Sequence, residues 1–95
     1  MNLEFTGKII YWRGPSPFLF VPVPEKESND IKAISGLVTY GWGVIPVHAQ
    51  LGGTEWKTSL FPKDGRYLVP IKMGVQKAES LDVGDEVTIQ LEINW

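Results

Sequence analysis

The sequence predicts a mostly β fold, a small closed pseudobarrel of six or seven strands capped by one or two short helices, and three observations carry that expectation. Val, Ile and Thr number 9, 8 and 5, and with 11 aromatics, 10 Gly and 7 Pro they compose short strands broken by turns. Apolar and polar residues alternate at a period of two in several runs, most cleanly where Val87, Ile89, Leu91 and Ile93 interleave with Glu86, Thr88, Gln90 and Glu92. Turn chemistry separates two more such runs at Gly52-Gly53 and over Pro62-Lys63-Asp64-Gly65. A chain of 95 residues holds one hydrophobic core, so residues 1–95 read as a single β-barrel domain.

From the start, Leu3, Phe5, Ile9 and Tyr11 share one face of a half-buried strand, with Glu4, Thr6 and Lys8 on the other and Gly7 marking a bend. Arg13-Gly14-Pro15-Ser16-Pro17 is a loop, since its prolines remove ladder donors and its glycine admits positive φ. Phe18 to Val23 is extended, and Pro22 assigns it to an edge or a bulged strand. Ser28-Asn29-Asp30 ahead of Ile31 and Ile34, with Gly36 behind, predicts a helix of two turns over 28–35. Leu37 to Tyr40 and Val44 to Leu51 are strand-like, with Gly41-Trp42-Gly43 as a hinge between them.

A two-residue Gly-Gly loop predicts a type I′ turn, which pairs Ala49 with Trp56, Val47 with Thr58 and Ile45 with Leu60 on the apolar face. The outer face then carries Pro46, His48 and Gln50 opposite Ser59, Lys57 and Glu55. Closing the next hairpin with a four-residue loop sets Phe61 on Arg66, Leu60 on Tyr67, Thr58 on Val69 and Trp56 on Ile71, with Glu55 beside Lys72 outside. Trp56 and Tyr67 belong to the core. Val75, Ala78 and Leu81 predict a helix over Gly74 to Leu81, followed by the turn Asp82-Val83-Gly84-Asp85 and the final strand.

Composition narrows the chemistry. Cysteine is absent and His48 is the single histidine, which leaves no thiolate chemistry and too few donors for a zinc centre. No metal, cofactor or catalytic role is therefore expected. No run reaches the ~20 apolar residues of a membrane helix, and the opening residues lack a secretory pattern, so a cytoplasmic setting is expected. The net charge of −2 gives no overall attraction to polyanions.

Several segments together resemble a known family. They are Trp42-Gly43-Val44-Ile45-Pro46-Val47, the 52–62 hairpin with Thr58-Ser59-Leu60, the 65–72 strand, and Leu81-x-x-Gly84-Asp85-x-Val87. The chain resembles the bacterial domain-of-unknown-function family nineteen-oh-five over nearly its whole length. That resemblance implies a six-stranded pseudobarrel capped by helices, often fused to a small helical domain similar to bacteriocin-protection proteins, and no established activity. Many members carry an arginine where this chain has Gln76. Val69-Pro70, a short helix and the Gly84-Asp85 turn also resemble the half-repeat of swapped-hairpin transition-state regulators, which implies a DNA-binding dimer as the alternative function.

Charge placement supplies the candidate site. Residues 57–77 hold Lys57, Lys63, Arg66, Lys72 and Lys77 against Asp64, whereas 78–95 hold Glu79, Asp82, Asp85, Glu86 and Glu92. The expectation is a non-catalytic binding or interaction module, monomer or homodimer, that contacts a small anionic ligand or a protein through a rim of Trp42, His48, Lys57, Arg66 and Lys72. Trp12, Tyr40 and Trp42 are candidate stacking surfaces, and Pro46, Leu68 and Pro70 would form an apolar strip outside the hairpins, covered by the 28–35 helix or by a second copy. His48 with Ser59 raises a nucleophile arrangement, but a triad also needs an orienting acid and an oxyanion hole, and the sequence has no nucleophile elbow.

Overall fold

A computed structural model of the chain describes residues 1–13, 17–38 and 44–93. Seven strands and two helices follow in the order β1 (Asn2–Lys8), β2 (Ile10–Arg13), β3 (Pro17–Pro22), α1 (Glu25–Val38), β4 (Ile45–Leu51), β5 (Thr54–Lys63), β6 (Arg66–Ile71), α2 (Met73–Ala78) and β7 (Glu86–Glu92). All ladders are antiparallel, and the strands lie in the order β1-β7-β4-β5-β6-β3-β2. The sheet curls into an open half-barrel around one apolar core, and the closed barrel expected from the sequence is not formed.

Backbone alternation explains the opening. Met1 and Ile93 exchange both their backbone bonds, at 2.6 and 2.8 Å, so the odd residues of β1 point their polar groups to β7 and the even ones point away. Ile9 continues the odd series, donating to Asp85 O at 2.9 Å and accepting from Gly84 N at 2.8 Å, and it is the joint at which the run passes from β1 into β2. The two edge strands are thus halves of one extended segment. On the opposite side, Val23 N bonds Tyr67 O of β6, so the residues of β3 aimed at the β1–β2 segment are Phe20, Pro22 and Pro24. β2 pairs no further than Ile10 with Phe20, which leaves the two prolines to face β1. Neither has an N–H to give, so no ladder joins β1 to β3, and Gly7 lies against Val21 and the carbonyl of Pro22 where the two strands approach. Pro22 lies at the end of a strand inside the sheet rather than on an edge.

The first hairpin has the predicted register at every pair, from Ile45 with Leu60 to Leu51 with Thr54. Its turn is different: only Gly52 has positive φ (58°), the pattern of a type II′ turn, which needs it at the first position alone. The type I′ turn is the other one, where Asp64 (φ 51°) and Gly65 (φ 79°) are both left-handed. That two-residue loop lets the ladder run on to Lys63 with Arg66 and moves the register by two, so Phe61 faces Leu68 and not Arg66. Pro62 then falls at a position between bonded pairs, where its missing N–H costs nothing. A shift of two keeps every side chain on its predicted face, and Trp56, Leu60, Tyr67, Val69 and Ile71 are all buried.

The helices depart more. α1 spans 14 residues, beginning with the bond from Ser28 N to Pro24 O at 2.8 Å, with Glu25 and Glu27 in its first turn where the helix dipole favours acids. It runs through Gly36, and Leu37 and Val38, expected in a strand, are its last residues. Ser28 is no cap but a buried tie: its hydroxyl donates to Val23 O at 3.0 Å and accepts from Tyr67 N at 3.2 Å. α2 is shorter than the predicted 74–81 helix, ending at Ala78 before Ser80 turns left-handed (φ 53°). Tyr11, expected on the apolar face, is 53 % exposed because β2 extends beyond the core.

Candidate functional site

Four adjacent strands build the outer face around His48. Joining their registers gives two lateral rows, Asn2–Glu92–His48–Lys57 and Glu4–Gln90–Gln50–Glu55, each crossing β1, β7, β4 and β5. Between them lies an open groove of about 500 Å³. Its polar wall has three carboxylates, Glu4, Glu55 and Glu92, with His48, Gln50 and Gln90 between them. Gln90 Nε2 donates to Glu4 Oε1 at 3.0 Å, and Gln50 Nε2 donates to Gly52 O at 3.3 Å, so the two amides fix the groove's floor. His48 is half-buried, and its Nε2 stands 3.8 Å from Glu55 Oε1, an ion pair whenever the ring is protonated.

The residues marked by sequence lie apart. His48 and Lys57 are cross-strand neighbours, as their spacing requires. Arg66 faces Lys63 at the other end of β5, six residues or roughly 20 Å of strand from Lys57. Its Nε donates to Val23 O at 2.9 Å, so part of its guanidinium is committed to the fold. Lys72 is exposed just before α2, about as far from Arg66 along β6. Trp42 and Tyr40 lie outside the described residues. Glu55 pairs with Gln50 and reaches the diagonal His48, and the expected pairing with Lys72 is not formed, because the β5–β6 ladder covers only 61–63 with 66–68.

Two of the five cations of 57–77 are engaged by the fold. Lys63 stacks over the Trp12 ring at 4.8 Å and reaches Asp64 at 3.6 Å, while Arg66 holds a backbone carbonyl. Glu79, from the acidic segment, accepts from Thr54 Oγ1 at 2.6 Å and packs against Gly52, fastening α2 to the first hairpin. Glu4 is the groove residue that a segment-by-segment count misses, because β1 joins the face only through β7. The apolar strip is covered differently from either expectation. Leu68 and Pro70 are buried beside Phe20, which packs on Trp12 (centroids 5.3 Å apart) and Phe61 (6.3 Å), whereas Pro46 is exposed. Ser59 stands opposite Pro46, as its register requires, and so on a diagonal from His48.

No helix among the described residues is long and apolar enough to cross a membrane. Nor do they contain a group of three or more His, Asp or Glu side chains able to hold a metal ion. In comparisons with known proteins, a family model described as Domain of unknown function (DUF1905) matches residues 5–91. No curated protein matches the chain.

Proposed function

We propose, for a chain that belongs to the family described as Domain of unknown function (DUF1905) and takes no activity from that membership, that the domain is a non-catalytic interaction module whose contact surface is the groove across β1, β7, β4 and β5. The groove takes cationic groups. The observation that carries this reading is the convergence of Glu4, Glu55 and Glu92 on one groove of about 500 Å³. An anion entering beside His48 would meet three like charges, whereas an amine or guanidinium meets acceptors on both rows. The small anionic ligand suggested by the 57–77 segment has less support, with Lys63 and Arg66 engaged by the fold and carboxylates lining the groove beside Lys57. Binding to nucleic acid is disfavoured for the same reason, since phosphates would approach a carboxylate-lined face on a chain of net charge −2. A hydrolase is disfavoured because Ser59 stands opposite Pro46, and no hydrogen bond joins it to His48 among the described residues.

Thermal denaturation with spermine, and separately with ATP and a short DNA duplex, tests the reading. A ligand at ~100 times its dissociation constant adds ~2.7 kcal/mol, which moves the melting temperature by several degrees in a domain of this size. Spermine should stabilise the protein. The effect should disappear in the Glu55→Gln/Glu92→Gln double variant and fade at about 1 M salt, where the Debye length is about 3 Å. Stabilisation by ATP or the duplex with none by spermine overturns it.

A further inference from the structure

We propose that the free edge of β1 is a strand-addition site for an extended segment of a partner protein, which sets a basic side chain opposite Glu4 and an apolar side chain on each side of it. The inference rests on the reading of the domain as an interaction module and names its partner's chemistry.

The backbone groups of Asn2, Glu4 and Thr6 point away from β7, and among the described residues they take no hydrogen-bond partner. A strand edge of this kind is a template for another chain. β3 cannot fill it, because the residues it turns to β1 are Pro22 and Pro24. The open stretch ends at Gly7, which Val21 and the Pro22 carbonyl crowd from the other side.

Side chains define what fits. On the core side of β1, Met1 and Leu3 pack on the core yet stay only half-buried, so the apolar row lacks a neighbour at its open end. An added strand sets the residues flanking its central position opposite Leu3 and Phe5, and so covers Leu3 at the open end of the row. On the outer side, Glu4 begins the row Glu4–Gln90–Gln50–Glu55, and its carboxylate is held in place by Gln90. The added residue opposite Glu4 extends this row, and a Lys or Arg there completes a cross-strand ion pair. A second copy of the chain fits less well. An antiparallel copy using the whole open stretch would pair Asn2 with Thr6 and set Glu4 against its own counterpart, a repulsive pair.

The test uses the whole chain and the blocked peptide Thr-Val-Lys-Val-Thr, with a second peptide carrying Glu in place of Lys. Amide hydrogen exchange is read residue by residue. The Lys peptide should slow exchange at Glu4 and Thr6 by about tenfold or more, equivalent to about 1.4 kcal/mol, while Leu3 and Phe5, already bonded to β7, change little. The Glu peptide should protect them less, and Glu4→Lys should reverse the preference. Thr6→Pro should abolish protection without breaking the β1–β7 ladder, because the N–H it removes faces outward. Equal protection by both peptides, binding that leaves Glu4 and Thr6 unprotected, or light scattering that shows a dimer with those amides protected would each overturn the proposal. The Glu55→Gln/Glu92→Gln variant separates the two readings. Retained peptide protection with no spermine response in the parent protein removes the groove and keeps the edge, and the converse removes the edge alone.

Discussion

Ser28 is 1 % exposed, and its hydroxyl joins three segments by donating to Val23 O and accepting from Tyr67 N. Arg66 Nε reaches the same carbonyl, so the tie is shared between a helix and two strands. Ser28→Ala removes the only partner that the Tyr67 amide has among the described residues. It should cost about 1–3 kcal/mol, read as a lower urea midpoint with an unchanged slope. Gly7 is governed by space: a Cβ there would lie 2.9 Å from Val21 Cγ1 and 3.0 Å from Pro22 O. Gly7→Val should destabilise by about 1–3 kcal/mol in the same measurement, with Gly7→Ala intermediate. The sequence marks both residues for other reasons than these, Gly7 as a bend and Ser28 as a helix cap. Ser-Asn-Asp is a capping pattern, a local rule, whereas the amide that Ser28 serves is 39 residues away.

At the scale of the element, the two glycines of the first hairpin turn face opposite demands. Gly52 has φ 58° and its Cβ would strike Glu79, so Gly52→Ala should cost more than ~1 kcal/mol. Gly53 has open space and no positive φ, so Gly53→Ala should be neutral or add up to ~1 kcal/mol. Thermal denaturation of the two single variants checks this. Equal losses from both would mean a type I′ turn. Strand faces were legible because side chains alternate strictly, and even the two-residue error in the β5–β6 register left them intact. Turn length was less so, since Pro62-Lys63-Asp64-Gly65 satisfies the composition of a four-residue loop as well as it does an Asp-Gly turn. α1 runs past Gly36 because a glycine costs a helix only ~1 kcal/mol, and burial of Ile31 in the core outweighs that.

For the whole molecule, the opening between β1 and β3 is the feature that sequence reading missed. Counting strands and alternating faces leads to a closed barrel, and closure fails on two missing donors, Pro22 and Pro24, whose orientation depends on which neighbour each residue faces. In the free protein, amides of Glu4 and Thr6 should exchange fast, and those of Leu3, Phe5 and Gly7 slowly. Uniform protection along β1 would mean that the seam is closed. The candidate site divides in the same way. His48 beside Lys57 follows from one hairpin and was readable, whereas Glu92 arrives through the non-consecutive β4–β7 pairing with His48 and Glu4 through Gln90, 86 positions away.

Ile9, the joint between β1 and β2, has a consequence for how the chain is made. The strand before it waits for a partner that is translated much later: Thr6 bonds Thr88, 82 residues on. At roughly 5–20 residues per second that is a delay of several seconds, during which the β2–β3 hairpin beyond the joint can already form. The nascent chain therefore carries an ordered hairpin with a loose arm ahead of it. The arm locks only when β7 emerges, which makes its docking the slow, non-local step of folding.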